Sequence, residues 1–187
     1  FELTEGQKKI QKTVSDFAQQ VIKPRAMETD QTAAFPLDIF KQMGALGFMG
    51  IPFSEQYGGL GKDTISYAIA TEEISKVCAS TGLSYAATVS LGASPIADFG
   101  TEEQKEQYLI PIAEGKALGA FGLTEPNAGS DARGTETTAI LDGDDYVITG
   151  KKYFITNAHY ADTIIVTAIT VKDERGKTLL SPFIVPT

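Results

Sequence analysis

Residues 122–134, with the sequence GLTEPNAGSDARG, contain the side chains best suited to binding a small ligand. Pro126 and Gly129 interrupt regular structure, and the hydroxyl groups of Thr124 and Ser130 stand beside backbone N–H groups that a turn leaves free. A turn of this composition can hold a polar, anionic ligand through main-chain donors and hydroxyls instead of through charged side chains. Taken alone, the same pattern also describes an ordinary surface turn.

The order of residues in this stretch is similar to the flavin-binding signature of the acyl-CoA dehydrogenases, Gly-Leu-Thr-Glu-x-x-x-Gly-Ser-Asp-x-x-Gly. Four further parts of the chain resemble the same family in the family's order: residues 50–61, 72–80, 99–111 and 152–157. One motif matches easily by chance, whereas five in register do not. The resemblance runs from about residue 3 to the end of the chain and is closest to the short-chain, butyryl-CoA-type branch.

The resemblance implies FAD as the cofactor and assigns its contacts position by position. The expected cofactor-binding residues are Phe121, Gly122, Leu123, Thr124, Gly129, Ser130, Phe154, Ile155 and Thr156. The first four are expected along the ring system, the next two at the pyrophosphate, and the last three against the ring, with the Thr156 hydroxyl near N5. Ser130 is also expected to contact the pantetheine arm of the substrate. From the residues alone, Phe154 and Ile155 are typical of the core of a strand.

Two other segments bear on the resemblance to the short-chain branch. Residues 157–159 are Asn-Ala-His, where Asn-Gly-Gly is common in the short-chain branch, so side chains stand at two glycine positions of a turn. Residues 88–91 resemble a helical segment that lines the acyl pocket, although core packing explains the same residues.

The implied activity is the α,β-dehydrogenation of a short-chain acyl-CoA to an enoyl-CoA. A carboxylate removes the α-proton while a hydride passes to FAD, and the electrons go on to electron-transferring flavoprotein. The family's base is a glutamate in the C-terminal domain or at its edge, so no catalytic residue is predicted in this chain. Glu125 and Asp131 are interpreted as supports of the loop, because a carboxylate in a turn usually accepts backbone N–H groups.

Further expectations come from what relatives contain. They carry a C-terminal four-helix domain and form homotetramers, and this sequence is expected to cover the first of their three domains, most of the second and none of the third. We therefore expect the 187-residue chain to be inactive alone. Two alternative functions stay open: an acyl-CoA oxidase that lets oxygen reoxidise the flavin, and a truncated homologue that acts as a binding module.

Composition narrows the class of protein. The net charge of −8 and the pI of about 4.7 disfavour nucleic acid and anionic membranes as partners. The sequence contains no apolar run near the roughly 18 residues that a membrane span needs. Cys78, the single cysteine, cannot form an internal disulfide, fits a reducing compartment and is expected in the core. One histidine and one cysteine leave no set of zinc ligands. The expected location is the cytoplasm, or the mitochondrial matrix in a eukaryote.

The period of apolar residues predicts an α+β protein. An all-α domain (residues 1–117) should precede an antiparallel β-domain (residues 118–187) that is incomplete relative to the family. Capping boxes at Thr4 with Gln7 and at Thr101 with Gln104 begin two helices, and others are predicted at 36–47, 64–79 and 83–98. Strands are predicted at 137–141, 146–149, 153–156, 163–170 and 179–185, with turns at 142–145 and 173–177.

Overall fold

A computed structural model describes residues 2–172 and 178–187, in which a helical part is followed by a sheet. The helices are α1 (Glu5–Phe17), α2 (Lys23–Thr32), α3 (Leu37–Ala45), α4 (Thr64–Val77), α5 (Ala79–Ala86), α6 (Ser94–Phe99), α7 (Glu102–Gln104) and α8 (Ile110–Ala113). π-Helical turns at Ala18–Ile22, Ala87–Ala93 and Lys105–Leu109 make α1–α2, α5–α6 and α7–α8 continuous helical rods. No helix of the described residues has the length and apolar character needed to cross a membrane.

Both predicted capping boxes are confirmed. Thr4 Oγ1 accepts the Gln7 N–H over 3.3 Å, and Gln7 Oε1 accepts the Thr4 N–H over 3.0 Å. The same reciprocal pair joins Thr101 and Gln104 over 3.2 and 3.0 Å. Each box satisfies two backbone donors that the first turn of a helix leaves unpaired, so the side chains define where the helix begins.

The boundary between α4 and α5 differs from the prediction. The expected helices 64–79 and 83–98 meet at Cys78, whose extended backbone (φ −153°, ψ 102°) ends α4 at Val77 and lets α5 begin at Ala79. Thr81 Oγ1 donates to Cys78 Sγ over 3.2 Å at this junction. The Cys78 side chain is partly buried and packs against the core.

One apolar core joins the helices to the sheet. Phe40, Met43 and Ile74 are buried in it, and Ile165 from the sheet belongs to the same cluster. Tyr85 is fully buried and donates its hydroxyl to the Phe48 carbonyl oxygen over 2.9 Å, which satisfies the one polar atom that its ring brings into the core.

The described part of the chain contains five strands in one sheet: β1 (Gly119–Gly122), β2 (Thr138–Asp142), β3 (Asp145–Thr149), β4 (Thr163–Lys172) and β5 (Thr178–Pro186). β5 pairs antiparallel along one side of β4. On its other side β4 has two parallel neighbours, β1 opposite residues 163–166 and β2 at Ile169. β3 pairs antiparallel with β2 through the predicted turn, in which Gly143 has a φ of 65°.

The α+β class is therefore confirmed, but the prediction of an antiparallel β-domain is wrong because the sheet is mixed. Strand β1, within an apolar run not predicted as a strand, creates the first parallel pair. The predicted strand at residues 153–156 is also wrong: Phe154 has a φ of 56°, which no strand ladder accommodates. The predicted turn at 173–177 lies outside the described residues.

Candidate functional site

The signature loop, residues 123–137, connects β1 to β2, and these two strands pair with different parts of the same edge of β4. β1 and β2 both lie against the same side of β4, so residues 123–137 form an excursion between them. Thr137 closes the excursion by accepting the Ile169 N–H over 2.8 Å. At its start the Thr167 hydroxyl donates to the Gly122 carbonyl oxygen over 3.3 Å. β4 thus anchors both ends of the loop.

Within the loop, a tight turn presents Gly129 and Ser130 to solvent. Glu125 and Ala128 exchange backbone hydrogen bonds of 2.9 and 3.2 Å. The Asp131 carboxylate accepts the Arg133 N–H over 3.2 Å. Asp131 therefore orders the loop backbone, in agreement with its interpretation as a support.

The tip of the loop has room for a closely approaching ligand. Gly129 has a negative φ, and a Cβ atom added to it would meet nothing within 4 Å. Neither packing nor backbone conformation within the described residues requires glycine there. Within the same residues, the N–H groups of Gly129 and Ser130 have no backbone acceptor. Two N–H groups without an acceptor, at a residue that has no side chain, fit the pyrophosphate of FAD, which is the group expected at this position.

Glu125 is the buried centre of the loop. Its carboxylate accepts the backbone N–H groups of Glu136 over 2.6 Å and of Thr137 over 3.1 Å, and it pairs with Lys152 Nζ over 2.7 Å. Burial by itself would raise the pKa of Glu125, but the hydrogen bonds from Lys152 and from these backbone donors outweigh burial and lower the pKa to about 2. A carboxylate held by three donors is a poor base. These contacts agree with the interpretation that Glu125 stabilises the loop.

Residues 152–157 contact β1 and the start of the loop that follows it. Tyr153 donates its N–H to the Thr124 carbonyl oxygen over 2.8 Å, and Lys152 Nζ donates to the Leu123 carbonyl oxygen over 3.1 Å. Farther along, Asn157 Nδ2 lies 3.5 Å from the Gly119 carbonyl oxygen. The residues on either side of the predicted group Phe154–Thr156 therefore contact β1 and the start of the loop.

Phe154 does not belong to the core. Its side chain is 92% exposed, and its positive φ turns the backbone out of any strand ladder. Ile155 and Thr156 are half-buried beside it. Both the left-handed backbone and the exposure of the aromatic ring to water cost free energy. Contact with the flat face of another ring system would remove the exposed ring from water.

Residues 157–159, Asn-Ala-His, form their turn without the glycines that are common there in the short-chain branch. The positive φ of this turn, 70°, falls on Asn157, whereas Ala158 and His159 keep negative values. Asparagine tolerates the left-handed region better than most residues. The two substituted glycine positions therefore impose no backbone strain here.

Asn157 also connects the site to the helices. Its buried side-chain amide donates to the Ser84 carbonyl oxygen over 2.9 Å and to Thr88 Oγ1 over 3.0 Å. Thr88 is fully buried in the π-helical turn and lies 3.4 Å from the Gly119 carbonyl oxygen. Thr88 is thus a packing residue at the junction of helix and sheet.

Sequence reasoning assigned no role to two residues that organise the site. Lys152 was part of the motif resemblance only, and nothing in the local sequence predicts its contact with Glu125. Asn157 carries a usable signal, since asparagine is enriched at positive φ, but its helix contacts come from residues distant in sequence.

Comparison with known proteins identifies the family. A profile described as acyl-CoA dehydrogenase, N-terminal domain, matches residues 4–116, and one described as acyl-CoA dehydrogenase, middle domain, matches residues 120–187. The chain belongs to the acyl-CoA dehydrogenase family.

Individual relatives agree with the profiles. A probable acyl-CoA dehydrogenase of Bacillus subtilis is 63% identical over all 187 residues, which span 49% of that protein. The solved butyryl-CoA dehydrogenase of Megasphaera elsdenii is 43% identical with a TM-score of 0.93, covering 100% of this chain and 49% of that one. A chain in a structure from work on the electron transferring flavoprotein of Acidaminococcus fermentans is 48% identical with a TM-score of 0.95, at the same coverage. The chain thus spans about half the length of the relatives it matches.

Proposed function

We propose that this chain supplies the flavin-binding and acyl-CoA-binding part of an FAD-dependent dehydrogenase that converts short-chain acyl-CoA thioesters to enoyl-CoA. The observation that carries the proposal is the juxtaposition of the signature loop with residues 152–157, joined by the hydrogen bond from Tyr153 to Thr124. Together with Phe121 and Gly122 at the end of β1, these two segments contain all nine residues expected at the cofactor. They lie far apart in sequence and meet only in the fold.

Each group of residues has a distinct task toward FAD. The donors of Gly129 and Ser130 would hold the pyrophosphate, and the exposed ring of Phe154 would contact the isoalloxazine. The hydroxyls of Thr124 and Thr156 would hydrogen-bond the edge of the ring, and Ser130 would also contact the pantetheine arm of the substrate. When bound, the flavin supplies a two-electron acceptor for the β-hydride. The residues of this chain bind and orient it.

We assign the proton-abstracting base to no residue of this chain. Glu125 has a pKa of about 2 and three hydrogen-bond donors, and Asp131 is occupied with the Arg133 N–H. A carboxylate whose pKa is lowered to about 2 is a poor base toward substrate carbon at neutral pH. The 187-residue chain is therefore expected to show no turnover by itself.

The short acyl chain and the electron acceptor are inferred from relatives. The butyryl-CoA dehydrogenase of Megasphaera elsdenii shares the fold of the whole chain, which supports a four-carbon substrate. The likeness to a chain from work on an electron transferring flavoprotein supports such a protein as the acceptor. A homotetramer is the assembly proposed by family resemblance.

The test compares the 187-residue chain with the product of its complete reading frame. Each is incubated with FAD, and the loss of flavin absorbance after anaerobic addition of butyryl-CoA is recorded. We expect the complete product to bleach and then to reduce added electron-transferring flavoprotein, and the 187-residue chain to do neither. Peroxide formed at the rate of substrate oxidation would show an oxidase instead. A complete product that binds no FAD would overturn the proposal, and turnover by the 187-residue chain would place a base within it.

A further inference from the structure

Glu125 and Lys152 form a buried ion pair between two segments that are distant in sequence. Lys152 Nζ lies 2.7 Å from Glu125 Oε1, and the two side chains are only 11% and 3% exposed. The other ion pairs of the described residues have at least one partner that is more than one-third exposed. Glu125 and Lys152 are thus the pair that the fold withdraws from water.

Each member of the pair holds other parts of the site. The Glu125 carboxylate accepts the N–H groups of Glu136 and Thr137, where the chain returns to β2. Lys152 Nζ donates to the Leu123 carbonyl oxygen over 3.1 Å and to the Thr167 hydroxyl of β4 over 3.2 Å. The pair therefore links the start of the loop, its end, the central strand and the segment that leads to Phe154.

Stability alone is a weak reason for such a pair. Two charges lose their hydration on burial, and apolar residues of similar volume often stabilise a protein equally well or better. Charge-assisted hydrogen bonds are directional, so they fix the distance between the groups that they join more closely than an apolar contact does. The parts held together here are the two ends of the loop, β4 and Lys152, which lies two residues before Phe154.

We propose that Glu125 and Lys152 are positioning residues that set the spacing between the two ends of the FAD site, Gly129–Ser130 and Phe154–Thr156. This inference rests on the proposed function. Neither side chain is free to contact the cofactor, since both are buried and fully engaged with protein groups. They act through the backbone of the loop and of residues 152–156.

Three variants separate positioning from stability. Glu125→Gln and Lys152→Met each leave one buried partner without its counter-charge, whereas the double variant leaves neither. Lys12→Met is the matched control, because it removes the same charge from the exposed pair of Lys12 with Asp16 on α1. Three quantities are measured in the complete protein: the urea midpoint, the dissociation constant for FAD, and the rate of tryptic cleavage after Arg133 without flavin.

We expect both single variants to lower the urea midpoint, to weaken FAD binding at least tenfold and to speed cleavage after Arg133, since the loop loses its anchor. The double variant should recover most of the urea midpoint, yet stay at least tenfold weaker in FAD binding and remain sensitive to trypsin. Lys12→Met should match the wild type in FAD binding and in cleavage after Arg133.

Two results would overturn the inference. One is a double variant whose FAD affinity returns to the wild-type value together with its stability, which is the behaviour of a purely structural pair. The other is an unchanged cleavage rate after Arg133 in every variant. A wild-type protein without affinity for FAD refutes the proposed function instead, and the proteolysis measurement then decides by itself whether the pair fixes the loop.

Discussion

Tyr153 donates its backbone N–H to the carbonyl oxygen of Thr124 over 2.8 Å, although the whole β2–β3 hairpin lies between them in the chain. The bond pairs one backbone group from each segment at the point where the two segments meet. The Phe154 side chain is exposed immediately after it. This backbone hydrogen bond therefore joins the two halves of the proposed flavin site, beside the contacts that Lys152 makes with Leu123 and Glu125.

Thr156→Val should slow flavin reduction more than it weakens acyl-CoA binding. The hydroxyl is proposed to meet the reacting end of the ring, where its hydrogen bond counts most in the transition state. Loss of one such bond costs about 1–3 kcal/mol, or roughly 5- to 150-fold in rate. Stopped-flow bleaching under excess substrate measures the effect, with Thr13→Val on α1 as the matched control. An unchanged reduction rate would remove Thr156 from the site.

Gly129→Ala should weaken FAD binding while leaving the fold intact. The new Cβ meets no protein atom within 4 Å, so the free energy of unfolding should change by less than about 0.5 kcal/mol. The methyl group would stand where the pyrophosphate approaches, and we expect the dissociation constant for FAD to rise about tenfold. Gly6→Ala on α1, also without close neighbours, is the control. Equal FAD binding by the two variants would contradict the proposed approach of the ligand.

Asn157→Ala should destabilise the protein more than Asn157→Gly. Both variants lose the hydrogen bonds to Ser84 and Thr88, but alanine must also adopt a φ of 70°. The left-handed conformation costs a residue with a Cβ about 1 kcal/mol, so the two variants should differ by that amount. Urea unfolding of both gives the comparison. If alanine were the better tolerated residue, the positive φ of Asn157 would not be a constraint on the fold.

The Glu125 carboxylate should stabilise the protein at neutral pH and cease to do so in acid. Its pKa falls from 4.5 to about 2 in the folded state, so the stabilisation is complete above pH 4.5 and is lost as the pH falls toward 2. Glu125→Gln should lower the free energy of unfolding by about 2–3 kcal/mol at pH 7, and this difference should shrink in acid. Urea unfolding at several pH values measures it, with Glu5→Gln on the exposed surface of α1 as the control. A difference that stays constant down to pH 3 would show that the carboxylate is not held in its charged form by the fold.

Local patterns predicted the local structure well. Capping boxes at Thr4 and Thr101 begin their helices because both partners lie within one turn. The turn between β2 and β3 forms for the same reason, since Gly143 supplies the positive φ that it needs. The local patterns failed at residues 153–156, where apolar residues resembled a strand but Phe154 adopts a positive φ, and at Cys78, whose extended backbone separates α4 from α5.

The candidate site was predicted as a set of residues and not as an arrangement. Signature residues and family membership can be read from the order of side chains in the chain. That the loop is an excursion between β1 and β2 depends on the parallel pairing of both with β4, whose paired residues lie 31 to 44 residues further along. No local pattern encodes a contact of that separation.

The sequence by itself determined the caps, the hairpin, the composition of the loop and the family. Only the tertiary structure decided that Lys152 meets Glu125 and that Asn157 meets Ser84, because these contacts depend on where helices and sheet pack against one another. Helix caps and tight turns are stabilised by partners a few residues apart. A buried ion pair or a left-handed asparagine is stable only when the surrounding fold supplies its partners, so its role becomes visible only in the packed molecule.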